Sequence, residues 1–196
     1  MNFFQVFYLT HFSKPAGHRG ILRHIQSDHP RKILEVGIQH GDRTVSILNM
    51  VLHFCGDKSD VHYCAIDPFE GRTTEDGRGL SLRKAHRLIS SFEIKSRLVP
   101  LAPEIAVKQL YLDRLIEKVD LVVISTPNLD WLKNSCTALL EIIHESAGIF
   151  IGIPPSSLSQ SASSQIEFEK VGLTELVSLA NHPDRLPYSR YSKNAA

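Results

Sequence analysis

The chain has 196 residues, 42% of them hydrophobic and 22% charged, which suits a soluble globular protein with a sizeable core. Lys and Arg total 22 against 21 Asp and Glu, a formal net charge of +1. That balance gives no bulk attraction for polyanions and argues against nucleic acid as the main partner.

The amino terminus, MNFFQVFYLTHF, is apolar but lacks a basic leader segment and a small-residue cleavage site, and Gln5 and His11 interrupt it. A membrane span needs about 20 apolar residues, so none is expected here. The stretch reads as an amphipathic arm that packs on the rest of the chain or on a second subunit, and a homodimer through this arm is an expectation. Ser13-Lys14-Pro15 opens a helix running to Ile25, with Ile21, Leu22 and Ile25 on one face. Lys32–Gly37 (KILEVG) is a compact apolar strand, Thr44–Phe54 a buried crossover helix, and Val61–Ile66 a second strand. Cys55, Cys64 and Cys136 are odd in number and show no paired metal spacing, as expected of reduced thiols in a cytoplasmic protein.

Glu70–Gly79 (EGRTTEDGRG) is polar and glycine-rich and reads as a mobile loop. Leu82, Ala85, Leu88 and Ile89 mark the next helix, and a third strand follows near Arg97–Leu101. Pro103 opens another helix at its first turn. Val119–Ser125 is the strongest strand, Leu132–His144 a helix and Ala147–Ile153 a fifth strand. The serine-rich SSLSQSASSQ after Pro154-Pro155 reads as a loop. A short helix near Gln165–Val171 is predicted next, with Thr174–Ala180 and Pro187–Tyr191 as an antiparallel pair. Alternating strands and helices of this kind predict a mostly parallel sheet covered by helices.

The most informative segment is LEVGIQHGDRT, residues 34–44. A strand ends in Glu35-Val36-Gly37, a tight turn follows, and a helix starts near Gly41. Two glycines there let backbone approach a ligand, and a helix amino terminus adds exposed N–H groups. A dinucleotide site wants GxGxxG, but Gln39 stands at the second glycine and no third follows, which disfavours an NAD-dependent oxidoreductase. An acid, a spacer, Gly37 and then Gly41 suit instead a ligand carrying an ammonium group. The second strand ends in Asp67-Pro68-Phe69, where a carboxylate can accept from two ribose hydroxyls.

KILEVGIQHGDRT resembles the first motif of the class I S-adenosylmethionine-dependent methyltransferases, especially the small-molecule O-methyltransferase branch. The resemblance runs from about Lys32 to Ile153. It implies an α/β, Rossmann-like doubly wound sheet of about seven strands, mostly parallel, with a C-terminal antiparallel hairpin. It implies S-adenosylmethionine as cofactor, lying against Glu35, Gly37, Gln39, Gly41, Thr44, Asp67, Pro68, Phe69, Ala102 and Ser125, with Asp67 on the ribose and Phe69 over the adenine. The whole of 1–196 is then one unit, with an arm and helix over 1–30, a cofactor-binding core over 31–155 and a helix and hairpin over 156–196.

The chain departs from that family after the fourth and fifth strands. Metal-dependent members carry carboxylates there, whereas this sequence has Ser125, Thr126, Pro127 and Asn128, then IGIPPSS. Hard cations need several oxygen ligands, so no metal site is predicted. His40 and Asp130 are the candidate general bases, with no catalytic residue assigned. The expected activity is metal-independent methyl transfer to a small molecule, and the Glu70–Gly79 loop is a candidate lid. A non-catalytic binding or interaction module on the same fold is the rival reading, because the usual polar groups are missing.

Overall fold

The structure, a computed structural model, describes residues 2–13, 16–74, 77–126, 129–153 and 166–182. In chain order the elements are α1 (Phe3–His11), α2 (Arg19–Asp28), β1 (Lys32–Val36), α3 (Asp42–Phe54), β2 (His62–Ile66), α4 (Leu82–Ser90) and β3 (Lys95–Val99). There follow α5 (Pro103–Leu112), β4 (Val119–Ile124), α6 (Leu132–Ile142), β5 (Ile143–Ile153), β6 (Glu167–Val171) and α7 (Leu173–Asn181). Among the described residues the six strands form one sheet in the order β3-β2-β1-β4-β5-β6. Neighbouring pairs among β1 to β5 are parallel, and β6 runs antiparallel to β5. The expected class of sheet is therefore present.

Strand alternation decides which side chains meet which helices. Leu34, Val36, Cys64, Ile66, Val122 and Ile124 point to the face covered by α5, α6 and α7. Ile33, Tyr63, Ala65, Leu121, Val123 and Phe150 point to the face covered by α1 to α4. Both faces are dry, so the central strands read as continuous apolar runs in the sequence. Glu35 is out of character in such a run, and by alternation it lies on the α3 side with Ile33.

The sheet order reverses between β1 and β4, so the loops leaving these two strands diverge to opposite faces. That point of an open α/β sheet is where ligands lodge, beyond the carboxyl ends of the strands. The ladder continues one residue past each strand here. Gly37 N–H donates to Ile66 O (2.8 Å), Ser125 N–H to Val36 O (2.7 Å) and Asp67 N–H to Val99 O (3.2 Å). The three loops that build the cleft are thus held in register by the sheet itself.

Several boundaries differ from the sequence reading. The amino-terminal arm is a helix with a complete capping box between Asn2 and Gln5. Helix α2 starts at Arg19 behind a single 3-10 turn, and Lys14 and Pro15 lie outside the described residues. Strand β3 starts two residues earlier than predicted, because it is the sheet edge and its first three residues are exposed. Residues 167–171 form an antiparallel strand, not a helix, since the open edge of β5 offers unpaired backbone groups. Residues 173–181 form a helix, not a strand, and bury Leu176, Leu179 and Ala180 at helical spacing. The serine-rich stretch 156–165 and Pro187–Tyr191 lie outside the described residues. Among those described, no helix is long and apolar enough to cross a membrane.

The α2 face is pressed tightly on β5. The buried His24 imidazole sits where a Cβ on Gly148 would stand. Gly148→Ala should therefore lower stability by about 1–3 kcal/mol through overpacking, read as a fall in the urea midpoint at unchanged slope.

Candidate functional site

The loop from β1 to α3 makes two left-handed turns, at Gly37 (φ 85°) and Gly41 (φ 87°), with Gln39 (φ 56°) between them. A Cβ on Gly37 would run into the Ser125 carbonyl, so only glycine lets the β1 and β4 loops approach this closely. A Cβ on Gly41 would meet Leu80 and Leu88 at 2.9 and 2.8 Å. Gly41 thus serves packing against α4 and does not face the cleft.

Glu35 is fully buried and has its full complement of internal partners. Arg43 Nε donates to Oε1 at 2.8 Å, and Arg43 Nη2 lies 2.7 Å from the same oxygen. Thr44 Oγ1 donates to Oε2 at 2.9 Å, and Tyr63 OH donates to it at 2.6 Å. Burial first, and then the Glu35 charge, push the Tyr63 hydroxyl well above its ordinary pKa, so it remains a donor. Arg43 also donates to the Gly37 carbonyl. The acid expected to face an ammonium group is therefore an internal strut joining β1, β2 and α3. Thr44, expected at the cofactor, is one of its donors.

Asp67 stands at the end of β2 and is almost fully buried. Oδ2 accepts from the backbone N–H of Ile38 (2.9 Å) and of Gln39 (3.4 Å). Oδ1 accepts from Phe69 N–H (2.8 Å) and faces Arg72 Nη2 at 2.6 Å. Three of these contacts are backbone hydrogen bonds and shape the loop. The fourth comes from the Arg72 side chain and is an ion pair, its Nη2 having no hydrogen-bond partner among the described residues.

Arg72 comes from the loop after β2. Its Nη1 donates to Leu80 O at 2.8 Å, and its guanidinium lies 5.9 Å from the Phe69 ring centroid. Glu70 caps the start of α4 through Leu82 N–H (3.0 Å), and Leu80 N–H donates to Gln39 O (2.7 Å). The Glu70–Gly79 segment is therefore tied down at both ends, and its arginine reaches in over Asp67. Residues 75 and 76 lie outside the description.

The cleft at this point is lined by Gly37, Gln39, Ile66, Asp67, Pro68, Arg72, Pro103, Ser125 and Thr126, and its open volume is about 30 Å³. Small-molecule sites typically span ~300–1,000 Å³, so with Arg72 in this position there is room for about one or two waters. The buried Ser125 Oγ has no hydrogen-bond partner among the described residues, and Ser125 lines this cleft.

Of the residues expected at the cofactor, Gly37, Gln39, Asp67, Pro68 and Ser125 come together here. Glu35, Gly41 and Thr44 support the loop from behind. Phe69 is buried in the α3-side core, which corrects the expectation that its ring lies open for an adenine. Ala102 is exposed at the start of α5, next to Pro103 of the lining. His40 and Asp130 are exposed and do not line the cleft. Among the described residues, no three His, Cys, Asp or Glu side chains gather as a metal site. Sequence reasoning missed Arg43, Tyr63 and Arg72. Arg43 and Tyr63 were readable from alternation, which puts Glu35 on the side where they and Thr44 offer donors.

No protein-family model matches the chain, and no curated protein matches its sequence. The fold does have solved counterparts. The chain is similar to the SAH-bound methyltransferase PaMTH1 of Podospora anserina, with a TM-score of 0.51 and 14% identity over 71% of this chain and 53% of that one. It is also similar to the 1,6-didemethyltoxoflavin-N1-methyltransferase of Burkholderia thailandensis, solved with S-adenosylhomocysteine (TM-score 0.49, 15% identity, 85% and 68%). The match spans about half the length of the Podospora protein. The chain thus has the fold of the S-adenosylmethionine-dependent methyltransferases.

Two outcomes follow for the Glu35 cluster. Arg43→Met should cost about 3–5 kcal/mol in chemical denaturation, because it strands a buried carboxylate, whereas Tyr63→Phe removes one neutral donor and should cost about 1–3 kcal/mol. The second concerns His18, whose ring lies 5.6 Å from that of Phe168, itself stacked on Arg43. Burial, and then the Arg43 charge, lower the His18 pKa from 6.5 to about 4 against a smaller opposing pull from Asp42. The unfolded chain therefore takes up this proton first as pH falls, and stability declines from about pH 6.5 down to 4. Denaturation midpoints for His18→Gln should fall less over that window than those of the unaltered chain.

Proposed function

We propose that the protein binds S-adenosylmethionine in the cleft between β1, β2 and β4 and transfers its methyl group to a small molecule without a metal ion. The observation that carries this reading is the buried, unpartnered Ser125 hydroxyl at the switch point, facing a cleft framed by Gly37 and Asp67. On this fold such a cleft suits a nucleoside carrying an amino-acid arm. Gly37, which has no side chain to obstruct it, and Gln39 border the space for that arm. Asp67 offers its carboxylate to a ribose once Arg72 leaves it, and Pro68 and Ser125 form the walls.

When bound, the sulfonium supplies an electrophilic methyl group, whose transfer depends chiefly on placing an acceptor in line and excluding water. The protein's contribution is then positional. Glu35 and Arg43 fix the loop, and Arg72 covers the cleft from the β2 side. Metal independence is part of the proposal, supported by the Ser125, Thr126, Pro127 and Asn128 run, which holds no carboxylate. A second reading, a non-catalytic binding module, is favoured by one observation: Arg72 fills the cleft and pairs with the very carboxylate a ribose would need.

Calorimetry separates the two. S-adenosylmethionine and S-adenosylhomocysteine should bind and NAD should not, and Asp67→Ala should weaken binding at least tenfold. Arg72→Ala should tighten it, because no guanidinium then has to be displaced. Failure of the unaltered chain and of Arg72→Ala alike to bind either adenosyl compound would favour the module.

A further inference from the structure

We infer that the aromatic face of α1 is the surface on which two copies of this chain associate. Helix α1 buries only Val6 and Thr10 against the rest of the protein, with Leu9 half-buried. The opposite side carries Phe3 (74% exposed), Phe4 (78%), Phe7 (45%) and Tyr8 (57%), and Phe12 (58%) just beyond the helix. These rings already touch one another. Phe3 and Phe7 stack at 6.4 Å, Phe7 and His11 at 4.6 Å, and Phe7 lies 5.8 Å from Phe12. Scattered surface apolar residues need no explanation, but a contiguous aromatic patch does.

Three features select a second copy as the occupant. The face is two parallel ridges at a spacing of four, Phe3–Phe7–His11 and Phe4–Tyr8–Phe12, with a groove between them. Ridges of this type pack into grooves of the same type on another helix, so the surface is complementary to itself under a two-fold axis. No acidic or permanently basic side chain lies on α1. Two copies therefore meet without like-charge repulsion, whereas an interfacial membrane helix would carry Lys or Arg on its polar face. The size is also right. At ~150–250 Å² per aromatic side chain, the exposed fractions leave roughly 600 Å² per copy. Doubled, that reaches about 1,200 Å², the lower bound of specific protein interfaces. A nine-residue helix is too short to persist on its own, so α1 gains from cover on its open side.

Sedimentation velocity on the full chain tests this independently of any ligand. At tens of micromolar the chain should run as a dimer that dissociates on dilution. The double substitution Phe4→Glu and Phe7→Glu, one on each ridge, should raise the dissociation constant at least a hundredfold. The resulting monomer should keep its circular dichroism and should unfold at the midpoint the unaltered chain shows when diluted to monomer, because Phe4 (78% exposed) and Phe7 (45%) stand outside the apolar core. Leu112→Glu, at an equally exposed apolar position on α5, should leave the dimer unchanged. A monomer at every concentration would overturn the proposal. So would a dimer indifferent to the double substitution, one weakened as much by Leu112→Glu, or a monomer that pellets with phosphatidylserine vesicles.

Discussion

A carboxylate with no access to water is costly unless every lone pair finds a donor. Glu35 meets that demand with a guanidinium, a hydroxyl and a phenol drawn from the first turn of α3 and from β2. Because the donors come from separate elements, the charge specifies their relative placement in a way that an apolar contact of the same volume does not. The turn at Gly37 inherits that placement directly, since Arg43 holds both the carboxylate and the Gly37 carbonyl. The rest of the cleft depends on this arrangement.

Asp67 works by a different division of labour. Backbone N–H groups from two loops satisfy most of its acceptor capacity, so the carboxylate draws the loops after β1 and β2 together. Its remaining contact is with Arg72, on a segment tied to the rest of the protein by Glu70 at one end and Leu80 at the other. One acid is therefore held by side chains inside the core, and the other has a single side-chain partner beside the cleft. That difference arises from position along the strands. Glu35 sits one residue inside the ladder on a covered face, whereas Asp67 sits one residue beyond it.

Most of the fold was legible because central strands covered on both faces appear as short apolar runs, and crossover helices between them have helical length. The run from Lys32 to Ile66 and the run from Val119 to Ile124 show this. Legibility failed where local preference and tertiary context disagree. Glu167–Val171 is rich in Glu and Lys, which favour helix, yet it pairs as a strand because it lies on an open sheet edge. Leu173–Asn181 contains Thr and Val, which favour strand, yet its apolar residues fall on one helical face. In the cleft, Gly37, Asp67 and Ser125 were found because turn chemistry and strand ends are local signals. Arg72 was not, because an arginine in a polar loop looks solvated until the acid it covers is placed beside it. Glu35 was located correctly but assigned a ligand role, since the motif was read without the strand alternation that turns its side chain toward Arg43, Thr44 and Tyr63.

The contact between Arg43 and Phe168 extends the reach of the Glu35 cluster across the molecule. The guanidinium lies 4.9 Å from the centroid of a ring carried by β6, three strands away from β1 in the sheet. A planar cation gripped on one side by a carboxylate and a carbonyl, and on another by an aromatic face, cannot rotate to suit one neighbour without leaving another. The antiparallel border of the sheet and the first glycine turn thus share one side chain, which ties the placement of β6 to that of the loop beside the cleft.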